Sequence, residues 1–125
     1  MHMATTISVQ RSVPKSVDEV RSALGTGGRR ELAVPAALSA FVRGPLVVND
    51  VRTWNGDSAD VVITVEGQPV RIAGTIGLRP ASDACDVDVA LAVTADVPFV
   101  GSMVESAIAP EVTALINREL DKLVG

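Results

Sequence analysis

Apolar and polar positions alternate with a period of two along much of this chain and change to a period near three and a half at its C-terminal end. Residues 5–13 set Ile7, Val9 and Val13 against Ser8, Gln10 and Ser12, with Arg11 interrupting the apolar side; this predicts a strand that Pro14 stops. Ser16 with Glu19 three residues on is the signature of a capping box, and Val17, Val20 and Leu24 form one face of the short helix it opens. Gly25, Gly27 and Gly28 end that helix. Residues 31–34 offer a brief strand before Pro35, and residues 36–42 place Leu38, Phe41 and Val42 at helical spacing until Gly44 and Pro45 break it.

From Leu46 onward four alternating runs follow, separated by turn residues. The first, residues 46–54, ends at Asn55-Gly56, and the second, residues 60–66, ends at Gly67. In residues 70–79, Val70, Ile72, Ile76 and Leu78 share one face while Arg71, Thr75 and Arg79 share the other. In residues 86–96, Val87, Val89, Leu91 and Val93 point inward and Asp86, Asp88, Thr94 and Asp96 outward. Alternation with one wet face predicts an antiparallel meander covered on its other side, with hairpin loops at 55–59 and 67–69.

The cover comes from residues 100–124. Val100, Met103, Val104, Ala107, Ile108, Val112, Leu115, Ile116, Leu120, Leu123 and Val124 form a stripe at spacings of three and four. Glu105, Glu111, Asn117, Arg118, Asp121 and Lys122 fall mostly off that stripe. Pro110 lacks an N–H and should kink or split the helix near Ala109.

Composition sharpens this picture. Hydrophobic residues make up 47% of the 125, yet there are two Phe, one Trp and no Tyr, so the core is built from small and β-branched side chains. The length suffices for one core without disulfides or metal, and a single domain is expected over residues 4–125, with Met1–Met3 read as a cloning remnant or the natural start. Net charge is −4, pI is about 4.8 and no dense basic run occurs, so no nucleic-acid partner is expected. The longest apolar runs are far too short for membrane insertion. One cysteine and no signal-peptide pattern point to a reducing cytoplasm.

Candidate chemistry is sparse. The one histidine, His2, lies in the terminal remnant, so acid or base work would fall to carboxylates. Asp86 and Asp88 point to one face of a strand as a hard-metal site would require, but that face is the solvent side. Cys85 has no local cation or helix N-terminus to activate it. Residues 25–30, Gly-Thr-Gly-Gly-Arg-Arg, suggest a phosphate cradle but follow a helix and lack the Lys-Ser or Lys-Thr pair; a flexible loop is the simpler reading. No catalytic residue, metal site or cofactor is assigned, and no enzyme is expected.

The order of elements resembles the helix-grip fold of the START-like superfamily, also called SRPBCC. Leu38-Ser39-Ala40-Phe41-Val42-Arg43, Leu46-Val47-Val48, Thr53-Trp54, Val70-Arg71-Ile72-Ala73-Gly74-Thr75, Leu78-Arg79-Pro80 and Val97-Pro98-Phe99-Val100-Gly101 followed by Glu105 are similar to an actinobacterial, domain-of-unknown-function branch of it. The resemblance implies an α+β fold, an antiparallel sheet of about 5–6 strands wrapped on a long C-terminal helix. The N-terminal half is shortened: residues 25–45 are too few for the hairpin such domains usually carry there. An exposed sheet edge follows, which a second copy of the chain would pair to form a homodimer.

The resemblance also implies non-catalytic binding of a hydrophobic small molecule or lipid between sheet and helix, lined by Trp54, Ile63, Ile72, Ile76, Leu91, Phe99, Met103, Ala107 and Ile108. Phe99 and Met103 are expected to look inward, while Trp54 either caps the pocket mouth or plugs the junction of sheet and helix. An interaction or self-association module with a filled core is the alternative, and a cyclase-like enzyme a third. Acidic residues buried in the cavity would favour the enzyme; the sequence pattern places none there.

Overall fold

The computed structural model describes residues 5–32, 34, 36, 39 and 44–124. Its elements run β1 (Thr5–Val13), α1 (Val17–Leu24), β2 (Gly27–Leu32), β3 (Leu46–Asn55), β4 (Ser58–Val65), β5 (Val70–Ala81), β6 (Ala84–Ala95) and α2 (Gly101–Val124). The six strands form one antiparallel sheet in the order β1-β6-β5-β4-β3-β2. Strands β3 to β6 are sequential hairpins; the one non-sequential pairing brings β1 beside β6, with Val9 opposite Val89.

Local chemistry sets these boundaries. The Glu19 amide donates to Ser16 Oγ at 3.2 Å and the Ser16 amide to Glu19 Oε1 at 3.4 Å, which closes the capping box at the start of α1. Gly25 ends α1 at φ 60°, and its N–H donates to the Arg21 carbonyl. The expected flexible loop after α1 is instead an edge strand: β2 starts at Gly27 and pairs with β3, Gly27 opposite Val51. Gly27 has φ 90°, and a Cβ there would lie 2.2 Å from the Asp50 carbonyl oxygen, so a glycine is what lets the chain turn straight from the helix into the ladder. The strand expected at 31–34 is thus displaced towards the N-terminus. The helical turn expected at residues 36–42 lies largely outside the described residues.

Alternation delivers the inner face as a continuous apolar layer. Ile7, Val61, Ile72, Ile76, Leu78, Val87, Val89 and Val93 are all buried, and Ile108, Val112 and Leu120 of α2 pack over them. Helix α2 runs unbroken through Pro110, which corrects the expected split. Pro110 and Ser106, the residue whose carbonyl loses its partner, are both exposed, so water can satisfy the lost bond. Among the described residues no helix is long and apolar enough to cross a membrane.

Candidate functional site

Helix α2 crosses the inner face of the sheet and packs chiefly on β1 and β6. Between its C-terminal half and strands β3 to β6 lies a cavity of about 40 Å³. Its wall is apolar over most of its extent: Val61 and Ile63 from β4, Ile76 from β5, Val87, Val89 and Leu91 from β6, and Val112, Leu115, Ile116 and Leu120 from α2. One end is different. There Asp50 and Arg52 of β3 and Glu119 of α2 close the space beside Leu24.

The expected lining residues divide. Ile63, Ile76 and Leu91 line the cavity, whereas Ile72 and Ile108 lie buried elsewhere in the core. Ala107 is half-buried and packs against the core. Trp54 is also half-buried, its Nε1 donating to the Gly25 carbonyl at 2.8 Å, so it pins β3 to the end of α1 and plugs that junction rather than capping a pocket. Phe99 and Met103 do not look inward: Phe99 is fully exposed and Met103 is 40% exposed. At Phe99 the backbone takes φ 70°, a turn conformation just before α2 that carries its ring away from the sheet.

The polar end was missed, although its position was readable. Leu46 and Val48 point inward, so Asp50, Arg52 and Trp54 must share their face. Likewise Gly101, Glu105, Ile108 and Val112 are spaced by four, three and four, so Glu105 lies on the buried stripe of α2 rather than off it. Glu105 is fully buried; Thr5 Oγ1 donates to its Oε1 at 3.2 Å and the Ala95 amide to its Oε2 at 2.9 Å, which ties the first turns of α2 to β1 and β6. Charge alone had set Glu105 off the stripe, and the alternation of residues 46–54 carried no expectation for Asp50 or Arg52.

Arg52 organises the other end. Its Nε and Nη2 donate to Asp50 Oδ1 and Oδ2 at 3.4 and 2.8 Å. Its Nη1 and Nη2 donate to Glu119 Oε1 and Oε2 at 2.9 and 3.1 Å, and Nη1 also reaches the Leu24 carbonyl at 2.6 Å. All five N–H donors of the guanidinium therefore have an acceptor. Arg30, inward on β2, adds a second cation with Nη1 3.4 Å from Glu119 Oε2. Burial alone would raise the Glu119 pKa, but hydrogen bonds and charge from Arg52, joined by Arg30, outweigh it and hold the carboxyl below its ordinary range. Burial opposes the charge on Arg52 too, and the paired carboxylates reverse that effect and fix it as a cation. Among the described residues no buried side-chain nitrogen or oxygen lacks a hydrogen-bond partner. Two carboxylates held by one guanidinium are acceptors already engaged, suited to positioning and ion pairing.

Asp86 and Asp88 lie on the outer face of the sheet, away from the cavity, opposite Ser12 and Gln10 of β1. Among the described residues no group of three or more His, Cys, Asp or Glu side chains could hold a metal ion.

A six-stranded antiparallel sheet gripping one long C-terminal helix, with a small cavity between them, is the START-like, SRPBCC architecture. The chain belongs to the family described as "Protein of unknown function (DUF2505)", whose model matches residues 5–124. It is similar in fold to a START superfamily protein from Mycobacterium smegmatis, at TM-score 0.61 and 11% identity over 94% of this chain and 96% of that one. Protein CV1439 from Chromobacterium violaceum gives TM-score 0.60 and 12% identity, covering 96% and 98%. CalU16 from Micromonospora echinospora gives 0.54 and 18%, covering 94% and 73%. No curated protein matches the chain.

Proposed function

We propose that this chain binds a small hydrophobic molecule or lipid between its sheet and α2, without turning it over. The observation that carries the reading is the cavity itself, an apolar space with one charged wall, a mix of lining that ligand sites share. At about 40 Å³ it holds only a few waters, against roughly 300–1,000 Å³ for a drug-sized ligand, so uptake requires the walls to part. The packing of α2 suits that motion: its main contacts are with β1 and β6, while the Glu119–Arg52 hydrogen bonds tie its C-terminal half to β3. Lifting that half away from β3, β4 and β5 widens the cavity and preserves the packing on β1. The absence of turnover rests on Asp50, which Arg52 holds from the same strand, since a general base must be free to take a proton. A reducing compartment such as the cytoplasm suits the single buried thiol, Cys85.

Fluorescence of a neutral apolar probe, N-phenyl-1-naphthylamine, tests the reading. Saturable enhancement at one site per chain is expected. A chain that shows no saturable uptake, and that light scattering shows to be a dimer, would instead be a self-association module pairing through the β1 or β2 edge.

A further inference from the structure

We infer that the ligand is an apolar molecule ending in a carboxylate, and that Glu119 occupies that carboxylate's place on Arg52. This rests on the apolar-binding reading above and adds the chemistry of the ligand's polar end.

Arg52 offers two bidentate edges, and they are filled from different sources. The side edge, Nε with Nη2, holds Asp50, which sits two residues away on the same strand and on the same face, with its side chain 6% exposed. That partner is fixed by β3. The end edge, Nη1 with Nη2, holds Glu119, which arrives from α2 and is 20% exposed. A guanidinium edge matches a carboxylate in geometry as well as charge, so whatever replaces Glu119 there with least loss is another carboxylate. A neutral group would leave part of a buried cation unpaired.

Position makes the exchange feasible. Glu119 and Leu115, one turn apart on α2, line the inner cavity and also a surface groove that gathers the cations Arg30, Arg118 and Lys122 with the carboxylates Glu31 and Glu111. Glu119 is therefore the boundary between the two spaces, and Arg30 already stands 3.4 Å from its Oε2 on the groove side. Turning outward, Glu119 exchanges one cation for others and need not cross the apolar core. The incoming molecule then places its chain along Ile63, Ile76, Leu91 and Val112 and its carboxylate on Arg52. No bond is made or broken; one anion replaces another on a fixed cation.

Octanoate and 1-octanol, which share a chain length and differ at the polar end, separate this inference from the broader one by calorimetric titration. Octanoate is expected to bind the wild-type chain more tightly than 1-octanol. Glu119→Gln, which keeps the side-chain shape and weakens the competing anion, is expected to raise octanoate affinity about tenfold while moving 1-octanol by about twofold or less. Native Trp54 emission serves as the folding control for the variant. Arg52→Lys, which keeps the charge and removes the bidentate edge, is expected to abolish octanoate's advantage. If Glu119→Gln leaves octanoate affinity unchanged while 1-octanol still binds, the carboxylate assignment is wrong and the apolar site stands. If neither compound binds any form, both readings fall.

Discussion

Replacing Arg52 by Met keeps an unbranched stem as far as the position of Nε in the wall of the cavity and removes all five of its hydrogen-bond donors. The Asp50 carboxylate, 6% exposed, and the Glu119 carboxylate, 20% exposed, then face each other without their shared cation, and the Leu24 carbonyl loses a donor. Breaking a buried ion pair by removing one partner costs about 3–5 kcal/mol, and here one removal strands two anions. For a chain of this length that is a fall on the order of 10–20 °C in Tm, well within the range of a folded variant at room temperature. Urea unfolding followed through Trp54, the one tryptophan, measures it directly. The acid dependence gives a second, independent sign. In the wild type Glu119 titrates lower folded than unfolded, so its contribution is complete above the unfolded carboxyl value of about 4.3 and is lost as pH falls through the folded one. In the variant burial acts on Glu119 without the Arg52 cation to offset it, so its penalty is full at neutral pH and is relieved on acidification. The stability gap between the two proteins must therefore narrow from pH 7 to pH 4. A loss below about 1 kcal/mol, or a gap constant across that range, would refute the account of the polar end.

Three further outcomes follow from the packing. Gly74→Ala should destabilise the chain strongly, by more than about 2 kcal/mol in urea unfolding, because its Cβ would lie 1.9 Å from the Ala90 carbonyl oxygen and force β5 away from β6; a neutral substitution would contradict this. Ile76→Ala and Ile72→Ala should both fall within about 2–5 kcal/mol, with Ile76 at the lower end because it already borders a void and has fewer contacts to lose, whereas Ile72 is fully buried in the core; the reverse order would show that the cavity is not where it is drawn. Burial pushes the Cys85 thiol up, so Ellman's reagent should leave the native protein unlabelled at neutral pH and react only on unfolding, and rapid native labelling would show that the β5–β6 hairpin opens readily.

The fold was legible because its elements follow simple rules of spacing. Ser16 and Glu19 mark the start of α1 without reference to anything distant, and the period of two in residues 70–95 fixes both strands and their inner face. Strand β2 was not legible, since Gly27-Gly28-Arg29-Arg30 has neither β-branched residues nor alternation; its place in the sheet comes from pairing with β3 at an edge, a tertiary effect. The site was half legible. Ile63, Ile76 and Leu91 follow from alternation, but Phe99 depends on a single backbone angle ahead of α2 that no pattern of residue types predicts. Asp50 and Arg52 alternate in step with Leu46 and Val48, and Glu119 follows Val112 by two helical turns, yet residue type alone drew attention to none of them.

The central claim is that the space between α2 and the sheet admits an apolar ligand. Methyl-resolved NMR of the chain titrated with 1-octanol tests it most directly, because each wall of the molecule carries its own methyl groups. Saturable shifts are predicted at Ile63, Ile76, Leu91, Val112 and Ile116, with Val51 and Val62 on the outer face of the sheet unmoved. Shifts confined to the outer face, or none at any of these methyls, would contradict it.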